Sequence, residues 1–179
     1  THLAADLTLE AGVAAAVRPI SDRVEVLIHT AHALLIKSFT ETTPQEMEAV
    51  WRVGCLGAML VAREVAPAMV ARGRGTIILS GATASIKGGA RFSAFASAKF
   101  ALRGFAQALA RELGPQGVHV AHVVLDGLIE EPQTIGRFGA ASATRMDPDA
   151  IAAAYLALTR QHPSGWSHEI DLRPFSETF

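Results

Sequence analysis

Val118-His-Val-Ala-His-Val-Val-Leu125 constrains this chain more than any other stretch, because it shows no alternation of apolar and polar positions. A strand with one wet face alternates. A strand apolar throughout must be covered on both sides, as in a parallel sheet between two layers of helices. Gly75-Thr-Ile-Ile-Leu-Ser80 and Val24-Glu-Val-Leu-Ile-His29 read the same way, and Trp166-Ser-His-Glu-Ile-Asp-Leu172 looks like a last strand. His2-Leu-Ala-Ala-Asp6 reads as a short strand running into a loop.

Helical patterns separate these runs. Leu9 to Val17 is Ala-rich. Thr43-Pro44 supplies an N-cap and a first-turn proline, with Glu46 and Glu48 placed to favour a helix start. That helix is expected to reach about Ala71, with Pro67 kinking or dividing it. From Phe95 onward, Phe95, Ala98, Leu102, Phe105, Leu109 and Leu113 fall on one helical face, and Gly114-Pro115 ends the run. Asp147-Pro148 caps a helix from Asp149 to Arg160. Strands alternating with helices give the fold class: α/β, a doubly wound parallel sheet in a single domain over residues 1–179.

Composition narrows the function classes. Lys and Arg (16) nearly balance Asp and Glu (17), and no basic stripe marks a nucleic-acid surface. Cys55 is the single cysteine, which excludes an internal disulfide and a Cys-based zinc site and suits a reducing cytoplasm. Gly54 to Val70 is apolar-rich but is interrupted by Arg63, Glu64 and Pro67, so no membrane span is expected there.

Phe95-Ala-Ser-Ala-Lys99 carries the chemistry. Positions four apart on a helix share a face. The segment resembles the active-site helix of the short-chain dehydrogenase/reductase family, whose pattern is Tyr-x-x-x-Lys, with Phe95 at the Tyr position and Lys99 in register. In that family the Lys lowers the pKa of the Tyr and holds the nicotinamide ribose, while the Tyr moves a proton to or from the carbonyl oxygen. Phe95 has no proton to move. Trp51-Arg-Val-Gly-Cys-Leu-Gly57 resembles the stretch bearing the structural Asn, which falls on Gly54. Gly75-Thr-Ile-Ile-Leu-Ser-Gly-Ala82 resembles the strand that delivers the catalytic Ser, which falls on Ala82 with Ser80 and Thr83 nearby.

The resemblance implies further positions. Ala5-Asp6-Leu7 looks like the end of the family's third strand, with Asp6 and Leu7 against the adenine. His29-Thr-Ala-His32 stands where the family has Asn-Asn-Ala-Gly, leaving Ala31 in place. Asp126-Gly127 replaces the Pro-Gly turn, so Gly127 and Ile129 are cofactor positions, and the usual Thr becomes Glu131. The implied fold is Rossmann-like, and the implied cofactor is NAD or NADP.

Each of these residues also has a plainer role. Phe95 serves as a core aromatic, Lys99 as a solvated helix residue, Ser80 and Thr83 as local hydrogen-bonders, and Gly54 as a point of close helix packing. His29 and His32 are either structural or substitute acids near neutral pH. His119 and His122 point to opposite faces of their strand and make no metal pair.

Neither Gly-x-x-x-Gly-x-Gly nor Gly-x-Gly-x-x-Gly occurs, so the phosphate-binding turn of the family is missing from this sequence. The resemblance begins at the family's third strand and leaves out roughly 50 residues, the size of a βαβ unit and its extension. The expectation is an N-terminally incomplete fold belonging to a longer protein, with Leu3–Asp6 lacking a neighbour and Val24–His29 a bare edge.

Two functions follow. The leading one is an NAD(P)-dependent oxidoreductase with a degenerate tetrad, in which Lys99 holds the ribose and Ser80 or Thr83 meets a small carbonyl or hydroxyl substrate. The alternative is a non-catalytic nucleotide-binding or assembly subunit. The expected partners are the small-molecule substrate and a second copy, paired through helices around 44–71 and 95–113. Gly54, Gly57, Ala58, Ala94, Ala98 and Ala106 would permit close approach there.

Overall fold

A computed structural model describes residues 2–139 and 145–177. Its strands are β1 (Val26–His29), β2 (Gly75–Ser80), β3 (Val118–Leu125) and β4 (Glu169–Leu172). They form one sheet in the order β1-β2-β3-β4, parallel throughout. The register aligns the carboxyl ends, pairing His29 with Leu79, Ser80 with Val123 and Leu125 with Leu172.

Helices cover both faces, as the doubly wound reading requires. They are α1 (Glu10–Val17), α2 (Pro44–Trp51), α3 (Gly57–Arg72), α4 (Ser93–Leu113), α5 (Pro132–Phe138) and α6 (Pro148–Thr159). Side chains alternate across each strand. Ile77, Leu79, Val118 and Val120 therefore meet Ala58, Val65 and Met69 of α3 and Leu102 and Ala106 of α4. Ile78, Ala121 and Val123 meet Tyr155 and Leu158 of α6 on the other side. This parity decides which groups can reach the functional end.

Several expectations need correction. Residues 2–6 form no strand, because no neighbour supplies a ladder of hydrogen bonds; Asp6 instead accepts the Thr8 N–H at 2.8 Å and the Thr8 hydroxyl at 2.7 Å. Pro67 does not divide its helix. The interruption lies earlier, in a π-turn at Arg52–Leu56 between α2 and α3, and α3 runs on to a left-handed Gly73 at φ 64°. The run Pro44–Arg72 is long and apolar enough to cross a membrane by length and composition alone, as the core helix of a folded domain also is. In the fold, its Val65 and Met69 pack on the sheet while Arg63 and Glu64 pair with Glu10 and Arg18. Helix α4 starts at Ser93 rather than Phe95, and α5 was not foreseen.

The start of α2 follows its sequence closely. Thr43 Oγ1 accepts the Glu46 N–H while Glu46 accepts the Thr43 N–H at 2.8 Å, a reciprocal cap, and Lys37 joins Glu46 at 2.8 Å. At the other side of the sheet, β1 pairs only with β2 among the described residues, and Val26 and Ile28 are exposed. The small residues expected at an interface are buried within the one chain. Gly54 faces Ala98, with 3.4 Å between the site of a Gly54 Cβ and the Ala98 Cβ, and Gly57 faces Leu7.

Core stability should track this packing. Leu102 is fully buried between α3 and the sheet. Leu102→Ala is expected to destabilise by about 2–5 kcal/mol, whereas Ile28→Thr on the exposed edge should change stability by less than about 1 kcal/mol. Urea unfolding of the two variants checks both.

Candidate functional site

The carboxyl ends of the strands gather the polar residues, the usual place for a ligand in an open α/β sheet. Lys99 lies on the sheet-facing side of α4, 3% exposed, and its Nζ donates to the Ser80 carbonyl at 2.7 Å. Burial pushes its pKa down to about 8. One turn earlier, Phe95 holds its ring centroid 5.7 Å from the same Nζ. His29 ends β1 on that face, 4% exposed, with Nε2 lacking a hydrogen-bond partner. Burial, and then the Lys99 charge, push the His29 pKa down to about 4. His32 follows in the exposed segment after β1, its ring edge-on to Phe95 at 6.1 Å between centroids.

Lys99, Phe95, His29 and His32 are thus one cluster. Ser80 joins it through its backbone alone. Strand parity turns the Ser80 side chain to the α6 face with Ile78, where Oγ lies 2.7 Å from the Tyr155 hydroxyl, both groups buried. The sequence offered no reason to bring Tyr155 to Ser80. Burial raises the Tyr155 pKa, opposed by the Ser80 hydrogen bond.

Thr83 is in a second group, donating its hydroxyl to the Asp126 carboxylate, which also faces Arg173 at 3.4 Å. Gly127 follows, packed so closely that an added Cβ would stand 2.8 Å from Pro174 Cδ. Ile129 makes a parallel bridge with Met146. Asp6 turns its carboxylate to Thr8, Leu7 packs against Gly57, and Ala31 is half-buried between the two histidines. Glu131 stands at the N-cap position of α5 without a side-chain capping bond and accepts the Thr134 hydroxyl at 3.3 Å. Ala82 lies at the start of the turn after β2, and Gly54 inside the π-turn over Ala98.

A third group was missed. Glu169 on β4 takes Arg103 Nε and Nη2 at 2.7 Å each and His122 Nδ1 at 2.9 Å. Arg103 is one turn beyond Lys99, a spacing that could have signalled a continuous charged stripe. Its acidic partner lies too far along the chain to be paired by pattern. The Arg103 hydrogen bond holds the Glu169 carboxyl below its usual range, and burial lowers the His122 pKa. The His122 ring packs over Gly81, where a Cβ would collide with Nε2. A cavity of about 470 Å³ opens elsewhere, between the amino ends of β2 and β3 and the His119–Trp166 stack.

The profile of the short chain dehydrogenase family matches residues 1–132. The chain belongs to the short-chain dehydrogenase family. A short-chain dehydrogenase/reductase of Armillaria gallica is 30% identical over 123 residues, covering 66% of this chain and 47% of its own length. The solved short-chain dehydrogenase from Rhodopseudomonas palustris is 37% identical with a TM-score of 0.80, covering 95% of this chain and 72% of that one. A metagenomic short-chain oxidoreductase solved in complex with NADP is 25% identical, also with a TM-score of 0.80, covering 97% and 73%. This short-chain dehydrogenase chain spans about half the length of the first curated relatives it matches.

The buried His29 should be visible in the acid stability of this chain. The His29 pKa is depressed in the folded state, so its contribution is complete above the ordinary value near 6.5 and is lost as pH falls toward 4. The loss amounts to about 3 kcal/mol, and His122 adds in the same direction. Urea midpoints measured from pH 7 to pH 4 are expected to fall less steeply in His29→Asn than in the parent chain; equal slopes would count against the buried neutral imidazole.

Proposed function

We propose that this chain is the catalytic-end portion of an NAD(P)-dependent oxidoreductase acting on a small carbonyl or hydroxyl substrate. The observation that supports it most is the buried Lys99 ammonium at the carboxyl end of β2, in a domain that superposes on an NADP-bound relative. The residues present fit the nicotinamide-ribose half of the cofactor. The orphaned His29 Nε2 and the Lys99 ammonium give that end of the sheet polar groups in search of hydroxyl partners. On this reading Lys99 holds the ribose, Asp6 and Leu7 face the adenine, and Ala31, Gly127 and Ile129 line the dinucleotide. When bound, the nicotinamide supplies or accepts the hydride.

The chain's own residues set the rest. Lys99 keeps a positive charge beside the substrate oxygen, and the Phe95 ring shields it from water. The Ser80 hydroxyl is held by Tyr155 on the opposite face, so Thr83 is the nearer candidate to touch substrate. A homodimer through the outer faces of α2, α3 and α4 belongs to the same reading, with exposed Phe100 on α4 available to it.

A second reading, nucleotide binding without turnover, is favoured by one observation. Phe95 occupies the Tyr position and carries no transferable proton, which by itself removes on the order of 10²–10⁴-fold of rate.

Fluorescence titration with NADPH and NADH, followed by consumption assays on a panel of ketones and aldehydes, tests both. Lys99→Met is expected to weaken nucleotide binding about tenfold, the worth of one charged hydrogen bond. It should also raise stability at neutral pH, because burial of the ammonium costs about 3 kcal/mol, only partly offset by the bond to Ser80. Turnover that rises in Phe95→Tyr with Ala82→Ser supports a retained catalytic pocket. Binding with no turnover in either form selects the second reading, and no binding overturns both.

A further inference from the structure

We propose that His32 is the proton-transfer group of this site, in place of the hydroxyl that Phe95 lacks. The inference rests on the oxidoreductase reading above. Ser80, Thr83, Lys99 and His29 lie at the carboxyl ends of β1 to β3, and each is buried or already engaged. The Ser80 hydroxyl is buried against Tyr155 on the far face of the sheet. Thr83 gives its proton to Asp126. Lys99 is buried against the Ser80 carbonyl beneath Phe95 and, on the reading above, holds the ribose. His29 is buried, and its burial keeps the imidazole neutral.

His32 differs in three respects. It is exposed, so a substrate can reach it. Its ring meets the Phe95 ring edge-on, with 65° between the planes, and the same Phe95 ring faces the Lys99 ammonium. Its Nδ1 lies 3.3 Å from the Thr30 carbonyl, which can only accept, so Nδ1 bears the hydrogen of that contact. The bond fixes the tautomer and leaves Nε2 as the nitrogen that gains and gives up the working proton.

In the reductive direction the imidazolium Nε2–H bond breaks and the proton passes to the substrate carbonyl oxygen. The carbonyl carbon takes its hydride from the reduced nicotinamide dinucleotide. One C–H and one O–H bond replace the C=O π bond, and His32 is left as neutral imidazole. Oxidation of an alcohol runs the same steps backward, with Nε2 accepting the proton.

The test uses the full chain and two readouts. The imidazole Cε1–H resonance of His32, assigned as the signal absent from His32→Ala, is followed by NMR as NADP is added, while nucleotide binding is followed separately by fluorescence. The expected result is a shift of that resonance on the binding curve, together with at least a 100-fold loss of carbonyl-dependent NADPH oxidation in His32→Ala and nucleotide affinity kept within about threefold. Nucleotide that binds without moving the His32 signal overturns this proposal and spares the oxidoreductase reading. A moved signal with unchanged turnover in His32→Ala also overturns it. Nucleotide that does not bind at all removes the oxidoreductase reading, and this proposal with it.

Discussion

A single buried cation organises the working end of this fold. The Lys99 ammonium lies inside the protein against the last carbonyl of β2. Taking an ammonium out of water is costly unless every compensating contact is well placed. The compensation comes from three elements at once. The carbonyl belongs to Ser80 at the strand end, the π-face to Phe95 on the same helix, and the close seat of α4 to the Gly54–Ala98 contact with the π-turn. A bulkier residue at Gly54 would press on Ala98, one residue from Lys99. The small residues of α4 therefore serve this burial as well as helix packing.

Strand parity explains why proximity in sequence is a poor guide to proximity in the site. Ser80 and His29 both end strands, yet Ser80 sends its side chain toward α6 and His29 toward α4. The same alternation divides His119 from His122. His119 stacks on Trp166 at 4.9 Å, while His122 reaches Glu169 and the loop at Gly81. Two residues in one apolar run are thus assigned to different ends of the energetics, one to a plain aromatic stack and one to a charged network.

Most of the sheet was legible because its strands are apolar on both faces and its helices carry punctuation. Thr43-Pro44, Asp147-Pro148 and Gly114-Pro115 mark ends within a residue or two of where they fall. What was not legible depends on partners distant in sequence. The segment at residues 2–6 has strand-like composition, but a strand exists only where a neighbour completes its hydrogen bonds. The π-turn at Arg52–Leu56 has no local breaker; it coincides with Gly54 meeting Ala98 from another helix, whereas Pro67, the visible breaker, is absorbed in α3. Lys99 and Phe95 could be read from their spacing. The Ser80–Tyr155 pair spans 75 positions and the Arg103–Glu169 pair spans 66, beyond any local pattern.

The charge arrangement around Phe95 gives the site a definite character. The Lys99 ammonium and the His32 imidazole face its ring, and His29 feels the Lys99 charge. Two carboxylates close to this end have partners of their own, Glu169 in Arg103 and Asp126 in the Thr83 hydroxyl and in Arg173, which it shares with Asp171. An unpaired carboxylate would have drawn Lys99 into an ion pair and cancelled its field. The field of the Lys99 charge, which is paired with no carboxylate among the described residues, acts through an interior where charge is weakly screened. Such a field stabilises electron-rich groups, whether a ribose hydroxyl oxygen or a carbonyl oxygen gathering negative charge. Under the proposed function, Phe95 at the Tyr position leaves the Lys99 charge in place while supplying no proton, so charge stabilisation and proton transfer would fall to different residues.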